Sequence, residues 1–443
     1  MTREGRIRMN GTPGRSAEKL GMKELVAMGV GGMVGGGIFS VLGLSVSLSG
    51  HAAPVAFLLG GIIAFFTGLS YAKLGLKYRS DGGSFTYLEY AFRNRNIAGL
   101  GGWLLIMGYL GTMALYSFTF AVYGSAMLGA APGEAPIHHL LESGILALFL
   151  GVNLYGVKAA GKTEDVIVMI KVIILGLFAV SGLFFVDPSR LLPVLDKGMT
   201  GLLMGAALIF VAYEGFELIP NAVREMKDPE RDLPGAINIS IVITTIIYIT
   251  VALVAVGNLT PPEIAQYKEY ALAVAAKPFL GHAGFLLIGL GALLSTASAI
   301  NATMFGTARL AQVMAMDKEL PQVFGHRERT RDIPWVSLLV ITLLTLVFVN
   351  LGDLDIISSF SSATFLIIFA SINLAALRLR RQISMSFVFP MAGLVLCMVS
   401  WGVLFAYLWE KKPHCLISIV VSYLVIASAE FLFSKRRILF KGA

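Results

Sequence analysis

Long apolar runs, each close to the thickness of a bilayer, follow one another along almost the whole of this chain. A helix needs about 20 such residues to cross the hydrocarbon core. On that measure the pattern predicts twelve spans, at 24–48, 53–76, 97–128, 139–156, 164–186, 200–222, 235–257, 279–314, 335–351, 355–377, 386–409 and 413–433. The short stretches of strict apolar–polar alternation that a membrane barrel needs are absent, so the backbone must satisfy its polar groups within helices. The expected class is all-α, a polytopic membrane protein. Its expected divisions are a basic N-terminal tail over 1–23, a core over 24–377 and two further spans with a tail over 378–443.

Composition agrees with that picture. Apolar residues make up 56% of the chain and charged residues only 14%, against roughly 25% charged in an average soluble domain. The net charge of +8 would suggest a nucleic-acid partner if it formed a patch. Instead the basic residues lie in short clusters between apolar runs, so no nucleic acid is expected and membrane lipid is the implied surroundings. Of the 35 Lys and Arg, 28 fall at or near the side that holds both termini, 6 on the other side, and one, Lys171, deeper within a span. That asymmetry predicts cytoplasmic N- and C-termini. The tail Met1–Lys23 reads as a topology anchor rather than a cleavable signal, because the first apolar run outlasts a signal's core and lacks a small-residue cleavage site. Cys397 and Cys415 read as apolar packing.

Three anomalies interrupt the apolar pattern. The first span holds six glycines in the nine positions from Gly29 to Gly37, each costing about 1 kcal/mol in a helix interior. Such a cluster serves either as an unwound hinge exposing N–H and C=O groups at mid-membrane, or as close helix packing through Gly31 and Gly35. The sixth span places Glu214 and Glu217 around Gly215, with Pro220 following. A charge at the bilayer centre costs at least about 2.5–3.5 kcal/mol, so these carboxylates should face a cavity or a partner. The two interrupted spans are five apart, which is what an inverted five-helix repeat over 24–186 and 200–377 predicts, and this favours the hinge reading. Lys171 is the third anomaly, several residues from either end of its span. It either snorkels to the surface or is held out of water, where it could gain and lose a proton. In the eighth span Ser295 and Ser298 offer hydroxyls that more often bond back to their own helix.

Together these residues resemble the amino acid–polyamine–organocation superfamily, and within it the proton-coupled amino-acid transporters of the ApcT type. The motifs that carry the resemblance run in order along nearly the whole chain. They include Gly35-Gly36-Gly37-Ile38-Phe39, Asp81-Gly82-Gly83-Ser84-Phe85-Thr86-Tyr87, the segment from Val168 through Lys171 to Phe178, Gly215-Phe216-Glu217 with Asp228-Pro229, and Ser298-Ala299-Ile300-Asn301. The resemblance implies a five-plus-five inverted-repeat core with the last two spans outside it, and an L-amino acid bound between spans one and six. It implies that the N–H groups of Gly36, Gly37 and Ile38 hold the substrate carboxylate, and that the carbonyls of Met33, Val211 and Glu214 hold its ammonium. It further implies that Lys171, facing the carbonyl of Gly31 and the hydroxyl of Ser295 or Ser298, couples transport to protons.

This chain departs from the family pattern at two places. Gly36 supplies no hydroxyl to the carboxylate, and Glu214 stands where relatives carry an apolar residue. Glu214 could select a cationic side chain or pair with a proton pathway, whereas Glu217 could be structural. Tyr109, Tyr116, Tyr213 and Phe216 are pocket candidates, with core packing as the alternative for each. No cofactor is implied. A membrane enzyme would need a metal-binding helix or a nucleophile elbow, and neither motif occurs. His51, His138, His139, His282, His326 and His414 lie in loops or at span ends, and no metal cluster is expected of them. A channel would more naturally show a selectivity filter. The expected function is import of amino acids across the cytoplasmic membrane, with an exchanger or polyamine carrier as the alternative.

Overall fold

The computed structural model describes residues 19–80, 82–92, 95–130, 135–155, 161–328 and 333–439. Most of the basic tail, Asp81 of the second motif and the loop lysine Lys158 lie outside them. Among the described residues there is no strand, only a lone bridge between Leu20 and Met226. Ten helical stretches among the described residues are long and apolar enough to cross a membrane. One of these, Gly36–Lys77, runs through a positive-φ turn at Gly50 and so holds the outer half of the first predicted span together with the second. Trp335–Leu351 is a further apolar helix at the position of the ninth.

The first span is split into α1 (Met22–Met33) and α2 (Gly36–Ser49). It is followed by α3 (Ala53–Lys77), the short α4 (Gly83–Phe92), α5 (Arg95–Met127), α6 (Ala135–Tyr155) and α7 (Gly161–Leu183). The sixth span begins as α8 (Gly198–Leu208) and then rewinds into a 3₁₀ segment, Ile209–Glu225. After α9 (Pro229–Asn258) come α10 (Pro261–Gln266) and α11 (Ala271–Ala275) in the connecting loop. The chain closes with α12 (Lys277–Met316), kinked at Gly281, and with α13 (Trp335–Leu351), α14 (Leu354–Leu379), α15 (Val388–Lys411) and α16 (Pro413–Leu439). Prolines open α3, α9, α10 and α12, where a missing N–H costs nothing. Asp353 caps α14 by accepting from Ile356 N at 2.8 Å.

Spans one and six lie at the centre. α1 packs on α7, α9 and the 3₁₀ segment, while α2 packs on α5 and α8. α3 lies against α9 and α5 against α12, enclosing them. α15 and α16 join from outside, against α14, and present Val395, Val399, Ile417 and Leu424 outward. An apolar surface of that extent would aggregate in water, and lipid is its solvent. Between α3 and α14, Ser70 donates to Asn373 Oδ1 at 2.7 Å and Asn373 donates to Thr67 at 2.9 Å, polar bonds of the kind that hold helices together where no hydrophobic drive exists.

The sixth span differs in detail from the sequence expectation. Its interruption is a change of winding that starts at Ile209, not an unwound gap beside Gly215. A 3₁₀ turn keeps its i→i+3 bonds, so the backbone stays largely satisfied where no water is at hand. Runs beyond three or four residues are uncommon and mark a hinge or strain; this one has 17 residues.

Candidate functional site

The break in the first span frees carbonyl groups, and each of three distant helices answers one of them. Gly35 N–H turns back to the Met33 carbonyl at 2.7 Å instead of continuing the helix. Its normal acceptor, the carbonyl of Gly31, is left without an intrahelical partner. Lys171 of α7, fully buried, donates to that oxygen from Nζ at 2.7 Å. Tyr248 of α9 donates to the Met33 carbonyl at 2.6 Å. Ser295 of α12 donates to the Val34 carbonyl at 2.6 Å, with Gly35 O a longer 3.3 Å away. Ser298 is buried one turn further along α12.

The glycines serve two purposes at once. Gly35 and Gly36 open the break, and Tyr116 of α5 lies against both of them: a Cβ on Gly36 would sit 2.5 Å from its Cδ1. Gly32 and Gly37 allow the two central spans to touch through their backbones. A Cβ on Gly37 would lie 2.7 Å from the Cα of Ala212, and one on Gly32 would lie 3.0 Å from the Gly215 oxygen. A break in the helix and close packing, alternatives from the sequence, therefore coexist. At the start of α2 the N–H groups of Gly36, Gly37 and Ile38 belong to the first turn, with no side chain capping them. They make an anion-ready helix N-terminus.

The sixth span is held from other helices too. Tyr248 also donates to the Ala212 carbonyl at 3.0 Å, so one hydroxyl spans both interruptions. Ser362 of α14 donates to the Leu208 carbonyl and accepts from Val211 N at 3.3 Å. Tyr213 donates to the Phe57 carbonyl of α3 at 2.7 Å, and Phe216 packs edge-on against Tyr71. Both therefore brace the core. Tyr116 donates to Glu214 Oε1 at 3.4 Å, and Glu214 Oε2 has no hydrogen bond although the residue is buried. Glu217 Oε2 accepts from Tyr71 at 2.8 Å and from Ser84 at 3.4 Å. Its Oε1 and the Asn221 Oδ1 are unpartnered, and both residues line a cleft shared with Tyr109, Gly83, Thr303 and Thr307.

Sequence reasoning missed Tyr248, Ser362 and Asn221. A lone phenol in an apolar span and the hydroxyl-rich run Ser358-Ser359-Phe360-Ser361-Ser362 were the available signals. We expect Tyr248→Phe, which deletes one donor to two buried carbonyls, to lower stability by about 0.5–2 kcal/mol. Thermal unfolding in detergent would measure it, and an unchanged midpoint would deny the bond any stabilising role. The histidines are a further difference: His138, His139 and Glu142 bring potential metal-ligand atoms within 4.8 Å of one another, because the helix stacks positions that sequence reading had considered without Glu142.

Comparison with known proteins accounts for this architecture. The model of the amino acid permease family matches residues 20–432. The chain is 34% identical over 419 residues to an uncharacterised protein of Methanocaldococcus jannaschii, covering 94% of this chain and 96% of that one. It is 33% identical over 421 residues to the inner membrane transport protein YbaT of Escherichia coli, with 94% and 97% covered. The serine/threonine exchanger SteT of Bacillus subtilis is 28% identical over 377 residues, with 82% and 84% covered. The chain belongs to the amino acid permease family, within the amino acid–polyamine–organocation superfamily, and is a multi-pass membrane transporter rather than an enzyme.

Proposed function

We propose that this permease imports L-amino acids across the cell membrane in symport with protons, by alternating access, with both termini in the cytoplasm. The observation that supports it most is the Lys171 ammonium on the orphaned Gly31 carbonyl at the break in the first span. A charged donor there stabilises the broken helix through a charge-assisted bond worth roughly 1.5–3 kcal/mol. Loss of its proton weakens that bond and releases α1 against α7, so proton binding biases the two arrangements of the hinge. Ser295 and Ser298 on α12 would support this centre, Ser295 by holding the Val34 carbonyl.

The substrate carboxylate would sit on the N–H groups of Gly36, Gly37 and Ile38. Its ammonium would meet the carbonyls of Met33, Val211 and Glu214, competing with the Tyr248 hydroxyl for Met33. Tyr116 and Tyr109 would line the side-chain end, and the free oxygen of Glu214 suits a cationic side chain. A polyamine lacks a carboxylate and leaves the α2 N-terminus without a purpose. The likeness to a protein named as an exchanger favours obligatory exchange as the second reading.

Uptake of labelled L-amino acids into proteoliposomes, with and without an acid-outside gradient, tests the reading. Accumulation driven by the gradient is expected. Exchange without net accumulation would replace symport by antiport, and no movement would reject both. In the same panel Glu214→Gln should lower uptake of cationic relative to neutral substrates about tenfold, the effect of roughly 1.4 kcal/mol of lost charge pairing. An unchanged ratio would remove side-chain charge recognition from Glu214.

A further inference from the structure

The first turns of α6 hold a group of side chains that the transport reading does not use. His138 and His139 stand four and three residues before Glu142, so the helix makes each of them a neighbour of that carboxylate. Glu142 is fully buried. His139 Nδ1 lies 2.6 Å from its Oε1, and His138 Nδ1 lies 3.3 Å from its Oε2. Among the described residues the ion-pair contacts of Glu142 are with these two rings. Two imidazoles thus converge on a buried carboxylate, with the Phe118 ring of α5 4.8 Å from that of His138.

Hydrogen bonding leaves this group unfinished. Glu142 Oε2 makes no hydrogen bond, although His138 Nδ1 lies 3.3 Å from it, and His138 Nε2 is buried without a partner. An unspent carboxylate oxygen on a residue wholly out of solvent is costly unless a cation completes it. The candidate ligand atoms already lie within 4.8 Å of one another. A tetrahedral ion with bonds of about 2.0–2.1 Å needs them roughly 3.4 Å apart, a change that side-chain rotation supplies.

We propose that His138, His139 and Glu142 form a binding site for a divalent cation of the zinc class. Two imidazole nitrogens and a carboxylate suit Zn²⁺ and its late first-row neighbours, whereas Mg²⁺ and Ca²⁺ require oxygen ligands. Three protein ligands leave a fourth position for water. An occupied site fixes the first turns of α6 beside Phe118, two residues along α5 from the Tyr116 that lies on the span-one break.

The test is Zn²⁺ titration of the full-length chain, purified without a histidine tag and stripped with chelator, read by competition with a chromophoric chelator. One saturable site per chain is expected, unaffected by millimolar Mg²⁺ or Ca²⁺. His139→Ala and Glu142→Gln should each weaken it at least tenfold. Glu142→Gln is isosteric and should melt in metal-free buffer like the parent chain, whereas His139→Ala leaves buried Glu142 without its hydrogen-bond partner and should melt lower. Absence of saturable Zn²⁺ binding, or binding that survives both substitutions, would overturn the site and leave an ion-pair clamp. Co²⁺ absorption offers a second readout: a tetrahedral band in the parent chain that Glu142→Gln abolishes supports the site, and identical spectra in both contradict it.

Discussion

Proteoliposomes carrying Lys171→Ala are expected to lose acid-driven accumulation by about 10- to 150-fold, the kinetic equivalent of a charge-assisted bond worth roughly 1.5–3 kcal/mol. The reason is local. The break at Val34–Gly35 leaves the Gly31 carbonyl without its helical donor, and the Lys171 ammonium supplies one at 2.7 Å. Alanine removes donor and charge together but also leaves a cavity, which alone can destabilise a packed interior. Lys171→Met separates the two effects, since methionine refills the space without a donor. Both variants should fail to accumulate substrate against the gradient while keeping pH-independent exchange. Full acid-driven accumulation in Lys171→Met would sink the proposed coupling role.

Gly215→Ala should be nearly as damaging, though it adds a single methyl group. The methyl would point into the backbone of Gly32 and Met33, where the two interrupted spans cross. Overpacked side chains can rotate away, but backbone cannot, so the spans must separate. The usual cost of overpacking, about 1–3 kcal/mol, corresponds to roughly 5- to 150-fold in any equilibrium between inward and outward arrangements. Uptake should fall within that range, and the variant should unfold at a lower temperature than the parent chain. A variant that transports at the parent rate would show that the two spans do not move as a closely packed pair. Gly176→Ala is the control: nothing lies within 4 Å of a methyl group there.

The anomalies that first drew notice were legible because each is a local violation of a strong rule. Twenty apolar residues in a row have one stable fate in lipid. A lysine at 171, carboxylates at 214 and 217 and a glycine run from 29 to 37 each carry a cost that a functional structure must offset. Those costs can be read without knowing any neighbour. Whether the glycines made a break or a packing seam could not, since it depends on what faces them. The answer is both, with Gly35 and Gly36 beside Tyr116 and Gly32 and Gly37 against the sixth span.

Hydroxyl groups mark the boundary between the two kinds of knowledge most clearly. Ser361 bonds back to the Ile357 carbonyl, while its neighbour Ser362 crosses to Leu208. Thr296 bonds back to Ala292, while Ser295 crosses to Val34. Adjacent residues of similar chemistry point about 100° apart around a helix, so only the face presented to a neighbour separates a self-satisfied hydroxyl from one that closes a break. By itself the sequence determined the solvent, the all-helical class, the two interrupted spans and a lysine within a span, because these follow from composition within one or two turns. The tertiary structure alone decided that Tyr248 bridges both interruptions, that the sixth span rewinds rather than unwinds, that Lys171 is buried on the Gly31 carbonyl, and that the glutamate after two histidines is buried. Each of those depends on which groups packing brings within about 3 Å, the range over which a hydrogen bond acts.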